Sequence, residues 1–348
     1  MKLWVREHWL DLLVGVATLI IALLAIRIHL RFWSLDTVGS DTYYSWVEGR
    51  RILDGKNPYE RILHGSMEEN NKYATYFPLF YEASALVQNA GTRQYQPWID
   101  FWRYIFLFCN IAIGLTLCIL LFSKRTWALS LLAMPFWYFN RWTLNASATV
   151  ALDFIPIFLM ILSLGLFEKH RKASFLLYSF SLAIKQIAIF LAPLYLIWEY
   201  QETRSIKKTM IAGLWIIAIP LLASIPFLTW NFEGFVKSIA FSATRIALNH
   251  FAAESIDSIL RLNGLAARIP FFLMLLGAYF VSWQKAVGKY MAAMLVMGIF
   301  IAFNSVLFQH YPTWLMPLLP LSAMDWIRSR MQLAKEAEDG QGYNLHDV

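Results

Sequence analysis

The chain has 348 residues, of which 58% are hydrophobic and only 15% are charged, and its mean hydropathy is +0.49. A soluble domain of this length has fewer apolar and more charged residues. The formal net charge of +7 comes from basic residues in short loops, which favour anionic lipid headgroups and do not indicate a nucleic-acid partner. The composition therefore predicts an all-α polytopic membrane protein.

Apolar stretches recur along the whole chain, and about ten of them are candidates for membrane spans, each of which needs about 20 apolar residues. Lys185 and Gln186 interrupt one apolar run, which predicts either a hairpin of two short helices or a single kinked span. The predicted spans are 9–29, 101–122, 126–140, 146–167, 173–184, 187–199, 210–230, 269–284, 290–308 and 312–327.

The distribution of basic residues predicts the orientation of these spans. Lysines and arginines cluster in the short loops on one side, which is therefore predicted to be cytoplasmic together with both termini. The first 30 residues lack a cleavage site and predict a retained span. Residues 1–330 are expected to form one transmembrane catalytic domain with two long outer loops, 31–100 and 231–268, and residues 331–348 a frayed cytoplasmic tail.

The first outer loop contains the most informative polar segment. From Asp41 to Leu53 the spacing of apolar and aromatic residues predicts a helix lying at the membrane interface. Gly55 stands where a left-handed cap residue is needed, and Pro58 follows as a stop. Asp41 would begin this helix, where a carboxylate is favoured as an N-cap and by the helix dipole.

Other charges in this loop have simpler interpretations. Glu48 can face Arg50 or Arg51 across one helical turn. Glu48 and Asp54 are therefore predicted to be solvated charges on the helix face, and Asp36 is a reserve candidate for catalysis. The surrounding tyrosines and tryptophans either stack on sugar rings or lie in the headgroup belt.

Several kinds of site are excluded or disfavoured by the sequence. Cys109 and Cys118 lie nine residues apart on one predicted helix, about 13 Å by helical rise, which is too far for a disulfide. The chain has no zinc-binding pattern, no P-loop and no Gly-x-Gly-x-x-Gly motif. The outer loops have no tight Asp-x-Asp pair to hold a divalent cation, so neither a metal nor a cofactor is expected.

Several motifs occur in an order that resembles the polytopic glycosyltransferases of the C superfamily, and most closely the polyprenyl-phosphate-mannose-dependent group, family 87. The resemblance extends from about residue 36 to 320. The motifs are Asp41 with its aromatic pair, Gly-x-Asn-Pro-Tyr at 55–59, Tyr-Phe-Pro-Leu at 76–79, Ala-Ile-Lys-Gln at 183–186, and His-Tyr-Pro-x-x-Leu-Met-Pro-Leu-Leu-Pro at 310–320.

This resemblance implies an integral enzyme, in a bacterial plasma membrane, that works on the non-cytoplasmic side. It would move a hexose, most simply mannose, from a polyprenyl-phosphate donor to a lipid or glycan acceptor. A phosphate leaves readily when cations meet its charge, so a single carboxylate is enough to take the acceptor's proton. By motif position Asp41 matches the catalytic base, and the reaction is expected to invert the anomeric centre.

The same resemblance implies roles for further residues. Lys185 is the main candidate for the donor phosphate, since an ionisable side chain in a span is costly; the alternative is a lysine at a loop tip that reaches the interface. The other candidate phosphate ligands are His310, Tyr311 and Arg245, and the candidate substrate-binding residues are Tyr44, Asn57, Tyr59 and Tyr76.

Two other classes of protein are compatible with the sequence. A transporter or lipid flippase also has many spans, broken helices and intramembrane charge. Such proteins usually have duplicated halves, however, whereas this chain has no evident internal repeat. A non-catalytic membrane scaffold is the third class, and no specific motif favours it.

Overall fold

The computed structural model describes residues 2–65, 74–244, 255–262, 265–303, 308 and 310–341, and regular secondary structure in these ranges is helical, which confirms the all-α prediction. Short 3-10 helices lie at Arg31–Ser34, Glu60–Leu63, Gln186–Leu191 and Tyr311–Trp314. The α-helices are α1 Lys2–Leu30, α2 Asp41–Leu53, α3 Leu79–Asn89, α4 Tyr95–Leu121, α5 Trp127–Phe139, α6 Arg141–Ala148, α7 Phe154–Leu166, α8 Arg171–Ile184, α9 Ala192–Thr203, α10 Ile206–Trp230, α11 Phe232–Thr244, α12 Ile256–Ile259, α13 Leu265–Trp283, α14 Lys289–Ala302 and α15 Leu318–Gln341.

Three helical segments of the described chain are long and apolar enough to cross a membrane: Trp9–Ser34, Tyr95–Leu121 and Ile206–Trp230. Four shorter apolar helices accompany them. Large apolar side chains are exposed along α1, α4, α10 and α13, a surface that is typical of contact with lipid rather than with water. The chain is therefore a helical protein suited to a membrane, while the count of ten spans stays a prediction.

One predicted span, 146–167, is interrupted. Helix α6 ends at Ala148 and α7 begins at Phe154, so a short irregular segment separates them. Val150 has φ +50°, and two backbone hydrogen bonds, Val150 N to Ser147 O (3.2 Å) and Ala151 N to Ala146 O (2.8 Å), complete a Schellman cap around it. A β-branched residue in this conformation costs about 1–2 kcal/mol, which the surrounding packing must offset.

The run around Lys185 forms a hairpin, which decides between the two alternatives for this stretch. Lys185 is extended (φ −153°, ψ 120°) and ends α8, and a 3-10 helix leads from it into α9. The rings of Tyr178 and Tyr195 stack with centroids 4.4 Å apart, and Arg171 at the start of α8 bonds Glu202 near the end of α9 (3.1 Å). One kinked helix would hold these residues far apart, so α8 and α9 run back on each other.

The first outer segment forms its own layer of short helices. Gly49 of α2 lies so close to α3 that an added Cβ would stand 2.9 Å from the backbone nitrogen of Ala85. An alanine at this position would therefore push the two helices apart. Helix α11, from the second long connection, packs beside the Glu60–Leu63 turn, and a Cβ at Gly234 would meet the Tyr59 carbonyl oxygen at 2.7 Å. The two long connections therefore contact each other.

The C-terminal segment differs from its prediction in one respect. Helix α15 continues to Gln341, so residues 331–341 are helical rather than frayed. Residues 342–348 lie outside the described residues. Cys109 and Cys118 are buried and unpaired with each other, as expected for core residues.

Candidate functional site

Helix α2 presents Asp41 at its first turn, with the bounds predicted from the sequence. The N-cap is the preceding residue, however: the Ser40 hydroxyl oxygen accepts a hydrogen bond from the Tyr43 backbone N–H (3.2 Å). The prediction that Asp41 is the N-cap is therefore wrong. Because Ser40 caps the helix, the Asp41 carboxylate is not needed for the cap and makes contacts with the rest of the chain.

Tyr76 connects Asp41 to the centre of the molecule. Its hydroxyl donates to Oδ2 of Asp41 (2.9 Å), and the Lys185 ammonium nitrogen lies 4.9 Å from the centroid of its ring. One side chain thus contacts an anion through its hydroxyl and a cation through its π face. The structure therefore brings together three of the residues predicted from widely separated motifs.

The position of Tyr76 is fixed by three hydrogen bonds to its segment. Its carbonyl oxygen accepts from the hydroxyl of Tyr59 (2.7 Å), and its backbone N–H donates to the hydroxyl of Tyr81 (3.4 Å). The side-chain amide of Gln186 donates to the carbonyl of Thr75 (2.6 Å). Because Gln186 follows Lys185 at the hairpin tip, the same tip positions both the lysine and the tyrosine.

The environment of Tyr76 keeps its phenol protonated. Burial is the main cause that raises the pKa of this hydroxyl well above its ordinary value, and the nearby Asp41 raises it further. Tyr311 and Asp153 act in the same direction. Tyr76 is therefore a hydrogen-bond donor to Asp41 at neutral pH and not a base.

Lys185 is fully buried and is held by Asp153. Its ammonium donates to both carboxylate oxygens, at 3.0 and 2.9 Å, and neither side chain reaches the surface. The Trp314 indole N–H donates to the same carboxylate (2.6 Å), and Nε2 of His310 lies 4.0 Å from it. Lys185 is thus not a lysine that reaches the interface from a loop tip, and that alternative is wrong.

The sequence prediction missed two residues of this cluster, Asp153 and Trp314, and Asp153 is the more informative of them. It follows the irregular segment after α6, and the Val150 carbonyl of that segment accepts a hydrogen bond from the Thr42 hydroxyl (2.5 Å). The segment therefore docks against α2 beside Asp41 and also aims Asp153 at Lys185. A signal was present in the sequence, since Asp153 is an ionisable residue within a predicted span, as Lys185 is.

The remaining predicted residues fall into three groups. Tyr44 lies one helical turn after Asp41, on the same side of α2. Tyr59 is fully buried among Tyr81, Phe227 and Phe235, and Asn57 is buried beside it, where its side-chain oxygen accepts from the Tyr59 N–H (2.9 Å). Through these contacts Asn57 and Tyr59 support the Tyr76 segment. Arg245 lies outside the described residues.

Among the other acidic residues of this segment, Glu48 departs from its prediction. Its side chain is buried and its carboxylate lies 3.4 Å from Nε of Arg51 and 3.1 Å from a guanidinium nitrogen of Arg61. Burial raises the pKa of Glu48 to about 7, although both arginines oppose this shift. The prediction of a solvated Glu48 is therefore wrong, whereas Asp54 is exposed as expected. Asp36, the reserve candidate for catalysis, is exposed as well.

Neither a model of a known protein family nor a curated protein matches this chain. The family resemblance rests on the sequence motifs alone.

Proposed function

We propose that the chain is a membrane glycosyltransferase that moves a hexose, mannose in the simplest case, from a polyprenyl-phosphate donor to a lipid or glycan acceptor. The observation that carries this proposal is the contact of Asp41 with Tyr76, beside the buried Lys185 ammonium. This reaction requires a carboxylate to take the acceptor's proton and hydrogen-bond donors to meet the charge of the departing phosphate. The proposed location is the non-cytoplasmic side of a bacterial plasma membrane, which follows from the positive-inside pattern and the family resemblance.

In the proposed reaction Asp41 is the general base. It takes the proton of the acceptor hydroxyl while that oxygen forms a bond to the anomeric carbon. The bond between the anomeric carbon and the phosphate oxygen breaks, and the polyprenyl phosphate leaves with the bonding electrons. Because attack and departure occur on opposite faces of the sugar, the configuration inverts.

Tyr76 supports this role as a positioning residue. Its phenol donates a hydrogen bond to Oδ2 of Asp41 and so orients the carboxylate toward which the acceptor hydroxyl would come. Because this phenol is neutral, its hydrogen bond does not weaken the carboxylate as a base in the way that a cation would. Tyr44, one helical turn from Asp41, is proposed to contact substrate.

The phosphate side of the site is proposed to lie toward His310 and Tyr311. The Lys185 ammonium has Asp153 as its counter-ion, so direct contact with a phosphate would require the lysine to give up that pair. The His310 side chain is partly exposed and lies beside the same carboxylate. We therefore assign the direct contacts with the phosphate to His310 and Tyr311. Lys185 and Asp153 are assigned a positioning role beside them.

The test is a transfer assay with the purified protein, a polyprenyl-phosphate-linked mannose and a membrane extract as the source of acceptor. Asp41→Asn should purify normally and lose transfer by about 100-fold to 10,000-fold, the range for removal of a general base. Asp54→Asn, an exposed carboxylate at the other end of α2, is the matched control and should retain activity.

Two results would contradict this assignment. Full transfer by Asp41→Asn would exclude Asp41 as the base. If Asp36→Asn lost transfer while Asp41→Asn kept it, Asp36 would be the base instead. Uptake of solute or movement of lipid in vesicles, without any consumption of the donor, would favour the transporter or flippase.

A further inference from the structure

A second polar site lies between the end of α1 and the middle of α4. It is a cavity of about 20 Å³ that opens outward, and it adjoins the irregular segment between α6 and α7. Its polar lining includes His29, Arg103 and Ser147, and its apolar walls include Trp33 and Phe106. None of these residues has a part in the site around Asp41.

Hydrogen bonds fix the state of His29. The indole of Trp137 can only donate, so the Asn110 atom 2.9 Å from it is the side-chain oxygen. The Asn110 amide nitrogen must then donate to Nε2 of His29 (3.3 Å). Nε2 is therefore an acceptor without a hydrogen, and the ring hydrogen of the neutral imidazole is on Nδ1.

Nδ1 of His29 is a buried donor without an acceptor of ordinary geometry among the described residues. The backbone carbonyl of Tyr138 is the neighbouring acceptor and interacts with the imidazole, but its geometry is not that of a full hydrogen bond to Nδ1. The whole side chain is only 2% exposed. A buried donor of this kind costs free energy unless another molecule supplies an acceptor.

Arg103 supplies a second buried donor and a positive charge. Its terminal nitrogens are used, one by Asp100 (3.0 Å) and one by the Leu35 carbonyl (3.0 Å). Its Nε–H is buried and makes no hydrogen bond to the described residues. The Arg103 side chain is 6% exposed, whereas that of Asp100 is 44% exposed and therefore largely screened by solvent.

The surface around the mouth of the cavity is apolar. Leu30 on α1 and Tyr104 and Phe108 on α4 are exposed, and the rings of Trp33 and Tyr104 meet edge to face at 4.6 Å. Both helices belong to segments that can cross a membrane. The cavity thus opens where hydrocarbon chains could lie along the protein.

We propose that this cavity binds the phosphate group of a membrane lipid, with the lipid's chains lying along α1 and α4. Two buried donors of its lining, Nδ1 of His29 and Nε of Arg103, lack a well-placed oxygen acceptor, and the positive charge of Arg103 favours an anion. A cavity of about 20 Å³ is close to the size of one water molecule, so a single phosphate oxygen enters while the remainder of the headgroup stays in the mouth. The proposal is independent of the glycosyltransferase proposal.

The experiment is native mass spectrometry of the detergent-purified chain with dioleoyl phosphatidic acid, and with dioleoylglycerol as the matched lipid without phosphate. The wild type should bind the phosphatidic acid at least tenfold more tightly. His29→Phe and Arg103→Met should each weaken that binding about tenfold, the value of one lost hydrogen bond of about 1.4 kcal/mol. Arg27→Gln, an exposed cation on the same helix, should bind as the wild type does.

The comparison of the two lipids on the wild type tests the proposal even if a variant does not fold. Equal binding of the two lipids by the wild type would overturn the proposal, as it would leave an apolar groove with a buried water. Displacement of both lipids by millimolar inorganic phosphate alone would also overturn it. Displacement of phosphatidic acid by undecaprenyl phosphate would support it and identify a polyprenyl lipid, rather than bulk phospholipid, as the source of the phosphate.

Discussion

Replacement of Lys185 by methionine separates a structural role of the buried ion pair from a catalytic one. Both partners are inaccessible to solvent, and the ammonium makes two short hydrogen bonds to Asp153. Methionine has nearly the same volume but leaves the carboxylate without its counter-ion. Breaking a buried pair on one side costs about 3–5 kcal/mol, so Lys185→Met should lower the free energy of unfolding by that amount.

The double variant Lys185→Met with Asp153→Asn should recover part of this loss. Asparagine retains an oxygen for the Trp314 indole and removes the uncompensated charge. What remains is a buried amide group without a full set of partners, which costs about 1–3 kcal/mol. The double variant is therefore expected to be more stable than Lys185→Met alone, although it carries one more substitution.

Unfolding by denaturant in mixed micelles measures these differences, with Lys289→Met as the control. Lys289 pairs with Glu168 at a similarly short distance (2.7 Å), but that glutamate is 71% exposed, and such a pair contributes about 0–1 kcal/mol. A loss in Lys185→Met no larger than in Lys289→Met would refute the reasoning. In the transfer assay, a stable but slow double variant would indicate that the ammonium acts on the chemistry.

Two further predictions concern the layer around Tyr76. Tyr59→Phe removes the hydroxyl that binds the Tyr76 carbonyl and should lower the free energy of unfolding by about 1 kcal/mol, whereas Tyr104→Phe, at an exposed position, should leave it unchanged. Glu48 has a pKa raised from 4.5 to about 7, so the folded state binds its proton more tightly than the unfolded state; stability should fall as the pH rises from about 4.5 to 7. Glu48→Gln should flatten that part of a plot of thermal midpoint against pH, and an unaltered slope would contradict the assignment.

Short-range signals in the sequence predicted the local structure around the site. Helix α2 begins and ends as expected because its cap and its stop are encoded within a few residues of each end. Gly55 has φ +69°, and the Lys56 N–H bonds the Arg51 carbonyl (2.8 Å), which completes a Schellman cap. Glycine reveals such a turn in advance because it alone adopts this conformation without strain.

Long-range pairings could not be predicted in the same way. The cap at Val150 has the same geometry as that at Gly55, but valine gives no sign of it, so the break between α6 and α7 was missed. Asp153 meets Lys185 and Trp314 only because the fold brings distant segments together. Glu48 appeared solvated since its i+3 partner Arg51 was evident, whereas the burial that dominates its behaviour depends on residues far along the chain.

The Tyr76 side chain also lies between the Asp41 carboxylate and the Lys185 ammonium. Lys185 is already paired with Asp153, and without an aromatic ring at this place the Asp41 carboxylate would be a second anion attracted to the same ammonium. Direct contact with the ammonium would make the Asp41 carboxylate a weaker proton acceptor. By offering its hydroxyl to Asp41 and its π face to Lys185, Tyr76 keeps the Asp41 carboxylate apart from the buried pair of Lys185 and Asp153.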